Sequence, residues 1–427
     1  MIGVVMVVLF TLLGLSLSVA AALFILGLFL NWWYVPSNLL IALDLVLWRE
    51  STNFILVAIP LFILLGEILL RSGIAERVYE ALDSWLSWLP GGLMHANIAT
   101  SMMFSATSGS SVATAATVGT IALPQAKKLG YDERLFTGSI AAGGTLGILI
   151  PPSINLIVYG FLTQSSIPGL FLAGILPGIG LALIFSIIIL ILCLIKPQLA
   201  GRRVVRPQES KLKGLVHLIP ILLLFLVVVG SIYAGWATPT EAAALGVLFA
   251  LLLALAYRRL SLRMLRESLE GTMRSTAMIM LILLAANFLN FVFARMGMTR
   301  QLTAFLDGLN ITSLQTLLVI ILFYIVLGFF VETLSLMVIT IPIVTPVVFS
   351  LGYDPVWFGI ILILLIEMAL ITPPVGLNLY VVQGIRGHGS MSDVMIGAVP
   401  FVLAMLIMIG LLIVFPQIAL FLPNLSN

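Results

Sequence analysis

The sequence predicts an all-α integral membrane protein made of two inverted repeats. Each repeat carries a re-entrant helical hairpin and a helix broken by a Pro-Pro pair. Three observations lead there. Of 427 residues, 61% are hydrophobic and only 9% are charged, whereas a soluble domain carries about 25% charged residues; a surface this apolar suits lipid as the solvent. Short motifs from the first half of the chain recur in order in the second half. Finally, the apolar segments are interrupted at corresponding places in both halves.

The apolar runs predict helices near 1–13, 16–33, 53–71, 135–163, 170–195, 215–235, 240–257, 275–295, 356–384 and 394–422. Two further regions, about 93–125 and 313–349, are apolar but broken midway. The first break is Ser105-Ala106-Thr107-Ser108-Gly109-Ser110-Ser111 and the second is Glu332-Thr333-Leu334-Ser335. Irregular backbone at membrane depth is tolerated only when buried in protein or lining a wet cavity, so each is read as a re-entrant hairpin. The Pro-Pro pairs Pro151-Pro152 and Pro373-Pro374 interrupt the segments 135–163 and 356–384. Prolines there remove two N–H donors and free upstream carbonyls.

The repeat is visible at a constant offset. Leu129-Gly130-Tyr131-Asp132 recurs as Leu351-Gly352-Tyr353-Asp354, an offset of 351 − 129 = 222, and Pro124 with Pro346, Pro151-Pro152 with Pro373-Pro374 and Ala20–Leu23 with Ala242–Leu245 keep it. Asn155 with Asn378, and Gly174 with Gly397, lie one residue later; Leu82-Asp83 and Leu306-Asp307 are two out of step. The repeats are assigned to 1–200 and 215–427, joined by a linker at 201–214. Each holds five crossings and a hairpin. Five is odd, so the second repeat should lie inverted in the membrane. The positive-inside rule agrees. Lys127, Lys128 and Arg134 flank the first Leu-Gly-Tyr-Asp loop; Lys196, Arg202, Arg203, Arg206, Lys211 and Lys213 fill the linker; Arg258, Arg259, Arg263 and Arg266 follow, and the second Leu-Gly-Tyr-Asp loop has none nearby. The basic segments are placed in the cytoplasm. Inverted repeats with broken helices meeting near the midplane are the pattern of secondary transporters.

Ser108-Gly109-Ser110-Ser111 offers hydroxyls and bare carbonyls, the oxygen donors a sodium ion takes, although small residues also serve helix packing. The Pro-Pro breaks expose carbonyls of the same kind. Charges at depth are costly unless paired or wet. Glu332 sits at the second hairpin tip, as a substrate contact or a cap. Arg295 ends a helix and is a candidate fork for a substrate carboxylate. Glu67, Glu241 and Glu367 read as structural, and Trp32, Trp33, Tyr34, Trp85 and Trp88 as interface anchors.

Other function classes find little support. The chain has no P-loop, no His-Glu-x-x-His and no evident nucleophile–base pair, and Cys193 is its only cysteine. Its small, dispersed net charge of +3 gives no sign of nucleic-acid binding. An enzyme, a membrane scaffold or a cofactor-bearing protein is therefore not expected, and energy for uptake would come from an ion gradient. The first apolar stretch has no basic leader and is read as mature chain.

Ala58–Leu64 with Gly66-Glu67, Phe104–Ser110, Ile150-Pro151-Pro152-Ser153, Thr238–Ala243 and Thr372-Pro373-Pro374-Val375-Gly376 together resemble the large membrane (DctM-like) subunit of tripartite ATP-independent periplasmic (TRAP) transporters, over essentially the whole chain. The resemblance implies an elevator-type, sodium-driven importer of small organic anions in the cytoplasmic (inner) membrane of a bacterium or archaeon. It implies a small four-helix membrane partner, encoded separately, and a periplasmic substrate-binding protein. It assigns one sodium site to Ser108, Ser110, Gly147, Ile150 and Pro152, and a second to Thr333, Thr372, Pro374 and Gly376. It puts substrate near Arg295, Asn155, Glu332 and Ser110. Relatives often carry Asp in place of Glu332 and a smaller hydroxyl residue in place of Asn155, so the substrate stays open. The other reading in the same class is a stand-alone sodium- or proton-coupled carboxylate symporter.

Overall fold

A computed structural model describes residues 2–35, 43–202, 208–298, 300–301 and 311–425. No strand occurs among them. In chain order the helices are α1 (Ile2–Gly14), α2 (Val19–Tyr34), α3 (Leu43–Ser51), α4 (Ala58–Arg71), α5 (Ile74–Leu86), α6 (Gly92–Ser108), α7 (Ser111–Leu129), α8 (Glu133–Leu149), α9 (Ile154–Thr163) and α10 (Ile167–Ile195). The second half gives α11 (Gln208–Phe225), α12 (Ser231–Tyr233), α13 (Pro239–Ala256), α14 (Leu262–Arg295), α15 (Ser313–Gly328), α16 (Thr333–Ser350), α17 (Pro355–Ala369), α18 (Leu377–Arg386), α19 (Met391–Val414) and α20 (Gln417–Leu425). Seven helices are long and apolar enough to span a membrane alone, and eight if α8 and α9, bent by 42°, count as one span. The protein is a multi-pass membrane protein. At 13 and 16 residues, α1 and α2 are shorter than the roughly 20 residues that cross the hydrocarbon unaided.

The expected hairpins are α6–α7 and α15–α16, and the expected broken helices are α8–α9 and α17–α18. The packing is reciprocal between halves. Helix α2 lies on α14 while α13 lies on α4; α7 lies on α18 while α16 lies on α9; α8 meets α19 while α17 meets α10. The two broken helices form the centre. Every residue of α8 from Leu135 to Leu149 is buried, and so is every residue of α17 from Trp357 to Ala369. Helices that are apolar all round belong in an interior.

Several expectations are corrected. The segment 394–422 is two helices, because Pro416 follows the extended Phe415 and the ladder stops there. Helix α14 starts at Leu262, not near 275. Its first turns are charged, with Arg263–Glu267 and Arg266–Glu270 pairs at i,i+4, so hydropathy alone hides them. Helix α11 starts at Gln208 and passes through a π-helical stretch, Leu226–Gly230, into α12. Helices α3 and α5 were not expected, as both are short and mixed in polarity. The second hairpin breaks at 329–332, and Glu332 is the cap of α16 rather than the middle of the break. Within the linker, Arg203 and Arg206 lie outside the described residues, as do Leu306 and Asp307 and the side chains of Lys211 and Lys213.

Helices α8 and α19 touch backbone to backbone. A Cβ on Gly397 would lie 1.8 Å from the carbonyl oxygen of Arg134, and one on Gly138 would lie 2.0 Å from that of Gly397. Gly397→Val should therefore lower the thermal unfolding midpoint in detergent, through an overpacking cost of about 1–3 kcal/mol or more. Gly410→Ala, on the same helix with nothing within 4 Å of its added methyl, should leave the midpoint unchanged or raise it.

Candidate transport site

Both hairpins and the first Pro-Pro break converge on one cavity of about 220 Å³. Its walls come from the α6–α7 tip (Gly109–Ala113), the start of α9 (Ile154, Asn155), the α15–α16 tip (Glu332–Leu334) and Leu370 after α17. Glu67 of α4 and Ser275 of α14 close the opposite side. The cavity thus lies where helices of the scaffold type meet the broken ones.

Local sequence dictates this arrangement. Gly109 takes φ +59° at the hairpin tip, a conformation glycine adopts freely. A Cβ there would stand 3.5 Å from Ile154 and 3.6 Å from the Pro152 carbonyl, so the tip lies directly on the break. Ser110 then caps α7, its hydroxyl accepting from the Ala113 N–H at 3.4 Å. Ser153 caps α9, accepting from Leu156 at 3.3 Å. Glu332 caps α16 with both oxygens, which accept from the N–H groups of Leu334 and Ser335 and from the hydroxyls of Thr333 and Ser335 at 2.8–3.0 Å. Three helix N-termini therefore open on one cavity. The Glu332 carboxylate offsets the dipole of α16, so the positive ends left open to an anion are those of α7 and α9.

The expected site residues are only partly brought together. Ser110, Asn155, Glu332 and Thr333 line the cavity. Gly147, Ile150 and Pro152 are buried at the first break, and the Pro152 carbonyl faces the Gly109 tip. The side chain of Ser108 lies outside what the structure describes. In the second set, Thr372 donates its hydroxyl to the Met368 carbonyl at 2.6 Å, the Pro374 carbonyl accepts from Tyr380 at 3.2 Å, and Gly376 adopts φ +44°. The two breaks differ in cover: Pro151 and Pro152 are buried, whereas Pro373 and Pro374 are exposed. Both Pro-Pro bonds are cis. Arg295 is not among the residues lining the cavity. It is exposed at the end of α14, with its guanidinium 5.4 Å from the Phe291 ring centre.

Two polar contacts, of Glu367 and of Asn378, escaped the sequence reading. Glu367, read as structural, is 1% exposed in α17 and accepts a hydrogen bond from Ser111 of the hairpin tip at 2.6 Å. Its other oxygen has no hydrogen-bond partner among the described residues. Asn378, the repeat mate of Asn155, is fully buried and donates to the Ala141 carbonyl at 3.1 Å. Asn155 itself lines the cavity, and its buried amide nitrogen has no hydrogen-bond partner among the described residues. On the scaffold side Glu67 pairs with Arg71. A glutamate inside an apolar run signals a buried partner, but nothing in the sequence says which.

The comparisons identify the family. The model of the "Tripartite ATP-independent periplasmic transporter, DctM component" matches residues 4–418. The chain belongs to this family. It is 33% identical to the C4-dicarboxylate TRAP transporter large permease protein DctM of Pseudomonas aeruginosa, covering 90% of this chain and 89% of the relative. It is 33% identical to the sialic acid TRAP transporter large permease protein SiaM of Vibrio cholerae, with 87% of each chain covered. The isethionate TRAP transporter permease protein DctMQ of Oleidesulfovibrio alaskensis is also 33% identical, over 83% of this chain and 56% of that relative. Among solved structures, the Alcanivorax borkumensis YdaH transporter, described as having an unusual topology, aligns with a TM-score of 0.55 at 18% identity, covering 87% of this chain and 90% of that one; it shares the fold. The protein is a TRAP transporter large permease and not an enzyme.

The Ser111–Glu367 contact ties the first hairpin to the second broken helix. Ser111→Ala, Glu367→Gln and the double variant should give a coupling energy of about 0.5–3 kcal/mol in thermal unfolding. Simple additivity would show that the two groups do not act together.

Proposed function

We propose that this permease imports a small organic anion, a carboxylate being the leading class, on a sodium gradient across the cytoplasmic (inner) membrane. A small four-helix membrane subunit and a periplasmic binding protein complete the system, the latter delivering the anion. The reading rests above all on the serine-capped N-termini of α7 and α9 at one small cavity, where an anion finds N–H dipoles, the N-terminus of α16 being taken by the Glu332 carboxylate. It also rests on the relatives, whose names give C4-dicarboxylate, sialic acid and isethionate as cargo. All three are small organic oxyanions. The cavity volume of about 220 Å³ suits a ligand below drug size.

Within this reading, Ser110 and Asn155 contact the anion, and Glu332 holds the second hairpin tip in shape. Sodium binds at the first break through Ser108, Ser110, Gly147, Ile150 and Pro152, mostly by carbonyls. A second ion binds around Thr333, Thr372, Pro374 and Gly376. Helices α2, α4, α13 and α14 form the scaffold of an elevator, and the hairpins with α8–α9 and α17–α18 move against it. The two repeats, 1–200 and 215–427, supply one half of each part. Burial of the first Pro-Pro pair beside an exposed second pair fits two ion sites that open and close unequally.

Sodium, compared with potassium at equal ionic strength, should raise the unfolding midpoint of the purified protein. A ligand at 100 times its Kd adds about 2.7 kcal/mol to the folded state. Ser110→Ala should diminish the effect. Equal midpoints in both salts, together with uptake by proteoliposomes on a proton gradient alone, would defeat sodium coupling. Uptake of micromolar-range anion without any binding protein would favour the stand-alone symporter. Arg295→Ala should retain uptake in the reconstituted complex, and its complete loss would bring Arg295 back to the site.

A further inference from the structure

A second cavity, of about 370 Å³, lies away from the transport site, between the C-terminal half of α7, the start of α8 and the end of α18. Lys127, Glu133, Arg386 and His388 line it together with the apolar Pro124 and Phe136. The basic residues flanking the α7–α8 loop place this cavity at the cytoplasmic surface by the positive-inside rule.

Its charges do not cancel. The Arg386 side chain is only 6% exposed. Its Nε donates to Glu133 Oε2 at 3.0 Å, its Nη2 donates to the same oxygen, and Nη2 stands 3.7 Å from Asp393 Oδ2. Nη1 is buried and has no hydrogen-bond partner among the described residues. Leaving such a charged donor unmatched is costly unless something from outside the chain accepts from it. His388 is engaged at both ring nitrogens, 3.2 Å from Glu133 Oε1 and 2.6 Å from the Arg386 carbonyl. Glu133 thus offsets the Arg386 charge, and Arg134 offsets Asp393 with a 2.8 Å contact. Lys127 has no ion pair among the described residues, so its ammonium is the uncompensated charge of the cavity.

We infer that this cavity is an oxyanion site that takes a phosphate group, with the Arg386 guanidinium as the first cation and Lys127 as the second. A guanidinium N–H beside a mobile ammonium is a common phosphate clamp. The same phosphate chemistry reaches the site either as a free ion from the cytoplasm or as a phospholipid headgroup, whose glycerol and acyl portion would lie on Pro124 and Phe136. The site shares no lining residue with the transport cavity.

The test is thermal unfolding of the full chain in two settings. In neutral detergent, inorganic phosphate is titrated against chloride at matched ionic strength. In phosphatidylcholine nanodiscs, phosphatidylglycerol is added or left out. Stabilisation is expected in at least one setting; a rise with inorganic phosphate makes the occupant a free ion, and a rise with phosphatidylglycerol alone makes it a lipid. Lys127→Gln should weaken the apparent affinity about threefold. Arg386→Lys, which keeps a charge facing Glu133 but removes the fork, should weaken it about tenfold. Ser110→Ala should leave it unchanged. No stabilisation in either setting, or the same stabilisation in Lys127→Gln as in the parent protein, would overturn the assignment.

Discussion

Backbone polar groups cannot be left bare in hydrocarbon, and this chain breaks four of its helices at depth. Everything around the transport cavity follows from how those breaks are satisfied. Three of the four breaks are satisfied side by side: the Gly109 tip rests on the Pro152 carbonyl, and Ser110, Ser153 and Glu332 cap the helices that restart, while the second Pro-Pro pair stays exposed. The cavity is the space left where these ends face one another. The satisfying groups are two serine hydroxyls and one carboxylate, so the site is polar and carries the Glu332 charge at one wall.

The second structural demand is that breaks be enclosed by protein. Helices α8 and α17 meet it by being buried along nearly their whole length, which is why close glycine contacts such as Gly138 with Gly397 recur around them. The reciprocal packing of α2 on α14 and α13 on α4 then forms the outer frame. The separation into frame and centre comes from which helices need shelter from lipid and which do not.

Much of this was legible in the sequence, for a physical reason. Membrane spans and breaks leave strong local signals, and the repeat duplicates each of them, so both hairpins and both Pro-Pro helices could be placed from residues alone. What was missed depends on partners far along the chain. Ser111 and Glu367 are 256 residues apart, and neither residue's neighbours announce the other. Helices α3 and α5 were missed because their mixed polarity resembles a loop when judged by hydropathy. An arginine at the end of an apolar run, such as Arg295 over the Phe291 ring, leaves no mark in the sequence of which partner it meets. Glu332 was read as having two possible roles, and its geometry shows the capping one.

Helix α14 runs for 34 residues, which at about 1.5 Å per residue is about 51 Å. A bilayer core is only about 30 Å thick. Its charged opening turns, held by two arginine–glutamate pairs, therefore project well past the lipid as a rigid stalk continuous with the wall of the cavity. Ser275 and Met278 of the cavity wall stand on the same helix, and Arg71 of α4 reaches Glu267 at 3.7 Å, so the charged turns and the cavity wall share one helix and one neighbour.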